Sequence, residues 1–365
     1  MEIRLLEKTD QDAWDSFVHD HPDSTHCHLI GWKEVIEKTY GHRGYYLLAV
    51  QDDKVEGILP LVHMKSLLFG NKLVSMPFLN YGGVLGKSDE VEERLLSEAV
   101  ILARSLQATV IELRHLSPLS WVKRDESGYP APEAEGANSW SPRVGGEKVR
   151  MVLPLPGSEK DLFQTFKSKL RSQINRPQKE GMTAVIGGEE LLDHFYEVFS
   201  TNMRDLGSPV HSRNFFSQMI RIFHPHLKTG IVYSKNNPVA AGIVFCFRRT
   251  VEIPWASSLK EYNKLSPNML LYWSFLEYAT RQKAVEFDFG RSTPGEGTYR
   301  FKEQWGSRPQ PLLWYAWEES RGNSERSTAN REKDRIPEFV ISLWSRMPVF
   351  LANQIGPRIR KNISL

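Results

Sequence analysis

The segment FDFGRSTPGEGTYRFKEQWG, residues 287–306, brings Asp288, Arg291, Tyr299 and Lys302 close together in the chain. A carboxylate can accept a proton or orient an ammonium, and a lysine and an arginine can hold the oxyanion of a tetrahedral intermediate. Acyl transfer to an amine needs those functions together with a neutral nucleophile and a positioned, activated carbonyl. Each residue also has a plainer reading. Asp288 can be the structural ion-pair partner of Arg291, Lys302 a solvated helix lysine, and TPGEGT a surface turn rather than a loop closing over substrate. The Asp-Phe-Gly tripeptide does not make a kinase, because nothing upstream supplies the Gly-rich loop, the Val-Ala-Ile-Lys strand or the His-Arg-Asp loop. GEGTYR, residues 295–300, is one position short of a dinucleotide fingerprint, and no βαβ unit with an acidic ribose ligand follows it.

Other candidates would bind rather than react. KDLFQTFKSKLRSQINRPQKEG, residues 160–181, puts Phe163, Phe166, Leu170 and Ile174 on one helical stripe behind a Ser158 capping signal. Lys167, Lys169, Arg171 and Arg176 fall outside that stripe, either as a phosphate-binding cluster or as a solvated helix face. Arg204 ends a helix expected over Glu190–Leu206, where it answers the helix dipole or reaches a substrate. Asn80, Tyr81, Gly82 and Gly83 follow a strand, so the backbone there can approach a ligand closely or simply turn. His19, His21, His26, Cys27 and His28 crowd one segment, but no second ligand pair is spaced to close a zinc tetrahedron, and packed histidines with no metal are expected.

The positioning elements are read from periodicity. WKEVIEKTY is helical, a hairpin turns at Asp52-Asp53, KLVSMPF is a strand, EVEERLLSEAVILARSL a helix and TVIELR a strand. FFSQMIRIF, a hairpin turning at Asn236-Asn237, TVEIPWASS, NMLLYWSFLEYATRQK and VEFDFG repeat that order. The expected division is a first domain over 1–116, a loop or linker over 117–150, a second domain over 151–319, and a tail over 320–365. A short helix from Tyr299 to Trp305, capped by Thr298 and stopped by Gly306, would precede a terminal strand PLLWYAW, with Phe301 and Trp305 as anchors. The tail joins Phe339, Val340, Leu343 and Trp344 to Arg346, Arg358, Arg360 and Lys361, so it can lie on an anionic bilayer or dock on the chain's own second domain.

Composition bounds the class. A 40% apolar share and a net charge of +3 describe a globular chain with no bulk demand for nucleic acid. Two distant cysteines, with no basic-then-apolar leader and no long apolar run, lead to the expectation of a cytoplasmic protein, with membrane association left to the tail.

Helix, hairpin, strand, helix, strand is the order of the GNAT N-acetyltransferase unit, which each half resembles. FDFGRSTPGEGTYRFKEQWG, with YGGV at Tyr81 and FKSKLRSQINRPQKEGM at Phe166, resembles the FemAB-like proteins, nearest to the branch associated with exosortase (PEP-CTERM) exopolysaccharide loci. The resemblance runs from about the first helix to the strand near Trp317, though the chain has no room for the long helical arm that some members carry. It implies an α/β fold of two tandem GNAT-like (acyl-CoA N-acyltransferase) domains with a cleft between them. It also implies an N-acyltransferase taking aminoacyl-tRNA or acyl-CoA as donor and an amine of a cell-envelope or polysaccharide precursor as acceptor. Catalysis would then fall to Lys302, Asp288 and Arg291. Substrate binding would fall to Tyr299, Asn80, Tyr81, Gly82, Gly83, Arg204 and the four cations of residues 167–176, which would take a tRNA end or a nucleotide. A CoA-dependent acetyltransferase is the first rival, although KEYNKLSPN lacks the glycine turn that would take a pyrophosphate. A non-catalytic envelope-assembly component is the second.

Overall fold

The computed structural model describes residues 1–119, 140–142, 148–319 and 338–364. Most of the expected linker and the polar stretch 320–335 lie outside the described residues. The chain forms two units. The first takes described residues within Met1–Gly146, Pro311–Arg335 and Asn362–Leu365, the second those within Glu147–Gln310 and Ile336–Lys361.

In the first unit, strands β1 (Glu2–Leu5), β2 (Arg43–Gln51), β3 (Lys54–Ser66), β4 (Gly70–Val74), β5 (Leu85–Gly86), β6 (Val110–His115), β7 (Trp140–Pro142) and β15 (Leu313–Glu318) form one sheet. The order is β1-β2-β3-β4-β6-β15-β7, with β5 on β3. Helices α1 (Gln11–Asp20), α2 (Gly31–Tyr40) and α3 (Asp89–Ser105) accompany it. The β2–β3 turn falls at Asp52-Asp53 as read from sequence, both residues at positive φ, which is the backbone twist a two-residue hairpin requires. Ser88 caps α3 by accepting from Val91 N, and Leu95, Leu96, Ala99 and Ala103 face the sheet at helical spacing.

In the second unit the order is β14 (Arg308–Pro311), β8 (Val149–Pro154), β13 (Glu286–Ser292), β12 (Thr250–Ser258), β11 (Asn237–Phe247), β10 (Leu227–Ser234), β9 (Met182–Gly187). Its helices are α4 (Glu159–Thr165), α5 (Ser168–Lys179), α6 (Leu192–Asp205), α7 (Arg213–Phe223), α8 (Pro267–Arg281), α9 (Gly297–Glu303), α10 (Glu338–Ser345) and α11 (Val349–Arg360). Both units pair one central strand in parallel with its neighbour, β4 with β6 and β12 with β13, amid otherwise antiparallel ladders.

Several expectations change. PLLWYAW was expected to end the second domain, yet β15 pairs antiparallel with β6 and β7 in the first unit, burying Tyr315 and Trp317 in that core. The edge of β6 takes its partner from far along the chain, which local patterning cannot announce. The single helix expected over 160–181 breaks at Phe166 and Lys167, both extended, because Phe166 turns inward onto Trp273 and Trp305. The β10–β11 turn sits at Lys235-Asn236, one residue earlier than expected. The helix expected from Glu190 opens as a 3-10 turn and becomes α6 only at Leu192. The two helices of the tail dock within the second unit, whereas residues 362–364 join the first, where Ser364 O accepts from Phe78 N and Arg114 Nη2. Helices α10 and α11 pack on α6, Asn353 donates to Ser200 Oγ, and Arg360 Nε donates to His211 Nε2.

Candidate active site

Strand β13 carries Phe287 and Phe289 into the core and turns Asp288 the other way, still only 1% exposed. Its parallel ladder with β12 pairs Thr250–Glu252 with Glu286–Asp288. Against β8 the register shifts between Asp288 and Arg291, and Gly290 adopts φ +71. That bulge re-aims the backbone: Asp288 Oδ1 accepts from Gly290 N at 2.7 Å, and Oδ2 from Arg150 Nη1 at 3.4 Å. Arg150 is thus a structural partner of Asp288.

Helix α9 closes over the bulge. Its N-cap is Glu296 rather than Thr298, and Gly306 at φ +88 turns the chain after it, with Gly306 N donating to Glu303 O at 2.8 Å. Trp305 is 1% exposed and meets Phe166 edge-on at 5.6 Å, whereas Phe301 is only half-buried, edge-on to Tyr272 at 4.9 Å. The expected pair of core anchors is therefore one full anchor and one partial one. Tyr299 is half-buried against the same core.

Lys302 does not project into solvent. At 8% exposure its Nζ donates to Arg291 O at 2.7 Å and Gly290 O at 3.1 Å, while Ser307 Oγ donates to its carbonyl at 2.9 Å. Burial lowers its ammonium to about 8, a fall opposed by Asp288 and Glu252 and reinforced by Arg291. An ammonium has three protons, and two of them are committed to the bulge carbonyls. The third can serve a developing oxyanion. Above its pKa the same nitrogen would instead offer a lone pair. Lys302, Asp288 and the backbone of Arg291 thus form one cluster.

The remaining second-unit candidates belong to α5, its N-cap and α6. Lys167 is the extended N-cap of α5, and at 100° per residue Lys169 and Arg176 share one face of the helix while Arg171 lies about 160° from Lys169. The four cations therefore do not lie on one helical face. Arg204 binds Asp205 at 2.6 Å and donates to Met347 O at 2.8 Å, so it ties the tail to α6.

In the first unit Tyr81 is buried and Asn80 half-buried, and Gly82 and Gly83 hold φ +146 and +114. A Cβ on Gly83 would lie 2.7 Å from His115 Nε2, so glycine is what lets the chain pass that ring. Tyr81 and Gly82 line a cavity of about 790 Å³ with His28, His115, Asp89 and Glu92. Burial pushes both histidines down to about 3 and Glu92 up to about 7. His28 Nδ1 accepts from Thr25 N at 3.1 Å, which leaves the proton on Nε2. The cavity therefore offers two neutral imidazoles beside carboxyl groups, with Lys54 and Lys87 also in its lining.

Sequence reading missed Arg150, His115 and Glu92. Arg150 reaches Asp288 only through the β8–β13 pairing. Glu92 reads as an ordinary acidic first-turn residue, and only its burial against Gly86 marks it.

The chain matches the Acetyltransferase (GNAT) domain family over residues 164–303, a span that runs from the end of α4 through Lys302. It is 26% identical over 206 residues to a Lipid II:glycine glycyltransferase of Staphylococcus haemolyticus (strain JCSC1435), covering 52% of this chain. The matched stretch is 46% of that relative, so the chain spans about half its length. Among solved structures, FemX superposes with a TM-score of 0.66 at 15% identity, over 87% of this chain and 97% of FemX. A tandem GNAT protein from the clavulanic acid biosynthesis pathway gives 0.55 at 11% identity, over 88% of this chain and 99% of that one. The fold is that of tandem GNAT proteins, mixed α/β in each unit. The family match is thus confined to residues 164–303, and the solved structures share the chain's fold. Among the described residues no helix is long and apolar enough to cross a membrane.

Proposed function

We propose that the protein is a FemAB-type N-acyltransferase that moves an aminoacyl or acyl group onto an amine of a cell-envelope precursor. The observation that carries this reading is Lys302, buried on the β13 bulge beside Asp288 inside the GNAT-matched segment. The neutral acceptor amine attacks the donor carbonyl, the oxyanion is met by the Lys302 ammonium, and the donor's alcohol or thiol leaves with the proton released by the amine. Asp288 holds the bulge, and Arg291 supplies the carbonyl that orients Lys302. The finer resemblance to the exosortase-associated branch narrows the acceptor to an exopolysaccharide precursor.

For the donor, aminoacyl-tRNA is favoured over acyl-CoA by the start of α8. Pro267 stands at its first turn and removes a backbone N–H, and Ser266 at φ +57 makes no side-chain cap. Binding of aminoacyl-tRNA, acetyl-CoA and a nucleotide-sugar precursor, measured at several salt concentrations, tests this. tRNA-end binding should weaken with a slope of about 0.7 per neutralised phosphate, and Lys167→Glu with Arg171→Glu should flatten it. Tight, salt-insensitive acetyl-CoA binding that survives both charge reversals would replace this donor with CoA. A peripheral contact of the tail with the bilayer draws support from Phe339, Leu343 and Phe350, exposed beside Arg346 and Arg358.

A further inference from the structure

The hairpin joining β3 to β4 ends in Leu67, Leu68 and Phe69, whose exposures are 106%, 88% and 43%. Scattered exposed leucines are ordinary, but three consecutive large apolar side chains at one projecting tip form a patch that water disfavours. The tip is held out by its own turn. Ser66 pairs with Gly70 at its base, Leu68 N donates to Ser66 Oγ at 3.3 Å, and Gly70 takes φ +83, the left-handed residue that closes a three-residue hairpin loop. Behind it the strands are anchored by Val62, Met64 and Leu73, all buried. The site clusters and the tail helices described above do not include these residues.

The charge around the tip has one sign. From Leu61 to Leu73 there is no aspartate or glutamate, and the ionisable side chains are His63, Lys65 and Lys72. Lys72 is taken by Glu112 at 2.8 Å, and His63 hydrogen-bonds Asn71 Oδ1 at 2.6 Å. Lys65 stays exposed one residue before the loop's flank. A second protein copy fits poorly, because three side chains offer on the order of 500 Å² against about 800 Å² per partner in a stable interface. An acyl layer under anionic headgroups has no such area requirement, and it accepts a narrow apolar wedge with a lysine at its collar.

We propose that this tip is a membrane-docking element: Leu67, Leu68 and Phe69 enter the headgroup–acyl boundary of an anionic bilayer while Lys65 meets the headgroups. The assignment rests on the tip alone and does not require the acyl-transfer reading. It makes the first unit a peripheral membrane module.

Flotation of the full chain with vesicles of phosphatidylcholine, with and without phosphatidylglycerol, is the test. Wild type should float with the anionic vesicles, and Leu67→Ser, Leu68→Ser, Phe69→Ser combined should lower the partition at least about tenfold. The triple variant should lose little melting temperature, since Leu67 and Leu68 are fully exposed and only Phe69 is part-covered. Lys65→Glu should weaken binding to anionic vesicles and leave neutral ones unchanged. The proposal is overturned if wild type floats with neither vesicle, or if the triple variant floats like wild type. It is equally overturned if only Phe339→Ser with Leu343→Ser on the tail abolishes flotation, or if the triple variant turns a wild-type dimer into a monomer in light scattering.

Discussion

Replacing Lys302 with methionine should separate activity from stability. Burial brings its ammonium from the ordinary 10.5 to about 8, and keeping it charged at neutral pH costs on the order of 3 kcal/mol. Methionine removes that cost, but it leaves the Gly290 and Arg291 carbonyls without their Nζ donor, a loss of about 1–3 kcal/mol each where they stay dry. The two terms nearly offset, so the melting temperature should shift by only a few degrees. Turnover should not be spared, since losing one oxyanion donor costs about 100- to 1000-fold. The pH dependence carries a sign. If the ammonium is the active form, the wild-type rate is highest below pH 8 and falls as pH rises through about 8. The folded state binds fewer protons than the unfolded between about 8 and 10.5, so wild-type stability rises with pH across that window, and the curve of the Lys302→Met protein is flat there. Steady-state kinetics and urea unfolding on both proteins decide the matter. Wild-type turnover in a folded Lys302→Met protein, or a rate that climbs through pH 8, would refute the oxyanion role; the climb would assign a neutral lysine acting as base.

Three further outcomes are expected. Trp305→Ala should cost about 3–5 kcal/mol in urea unfolding, because the ring is fully buried, while half-buried Phe301→Ala should cost about half as much; equal losses would contradict the packing of α9. Gly83→Ala should destabilise by about 1–3 kcal/mol or more, since φ is +114 and the new Cβ meets His115 at 2.7 Å; an unchanged unfolding midpoint would contradict it. Burial holds Glu92 at about 7 against an ordinary 4.5, so the folded state keeps a proton that the unfolded chain releases. Wild-type stability should therefore decline between those pH values, and Glu92→Gln should flatten the decline.

What could be read from sequence was local. Asp52-Asp53 marked a hairpin because two residues at positive φ suit that turn, and Ser158 marked the start of α4 because its hydroxyl takes the Asp161 N–H. Gly306 ended α9 for the same kind of reason. What escaped was long-range. The helical stripe ran unbroken through Phe166 in periodicity, and only the aromatic pocket of Trp273 and Trp305 breaks it there. Strand β15 gave no sign that it would pair with β6 of the first unit, and Arg150 gave none that it would face Asp288. Lys302 was singled out for chemistry, but its place in the sequence could not show the two carbonyls of a strand bulge waiting for its nitrogen.

The account stands most directly on the mass of a product. The protein would be incubated with aminoacyl-tRNA and, separately, acetyl-CoA, in the presence of nucleotide-linked and lipid-linked envelope precursors, and the precursors examined by mass spectrometry. We expect one aminoacyl increment on an amine-bearing precursor, present with wild type and lost with Lys302→Met. No mass increment from either donor on any precursor would contradict acyl transfer, and an acetyl increment in place of the aminoacyl one would contradict the donor assigned here.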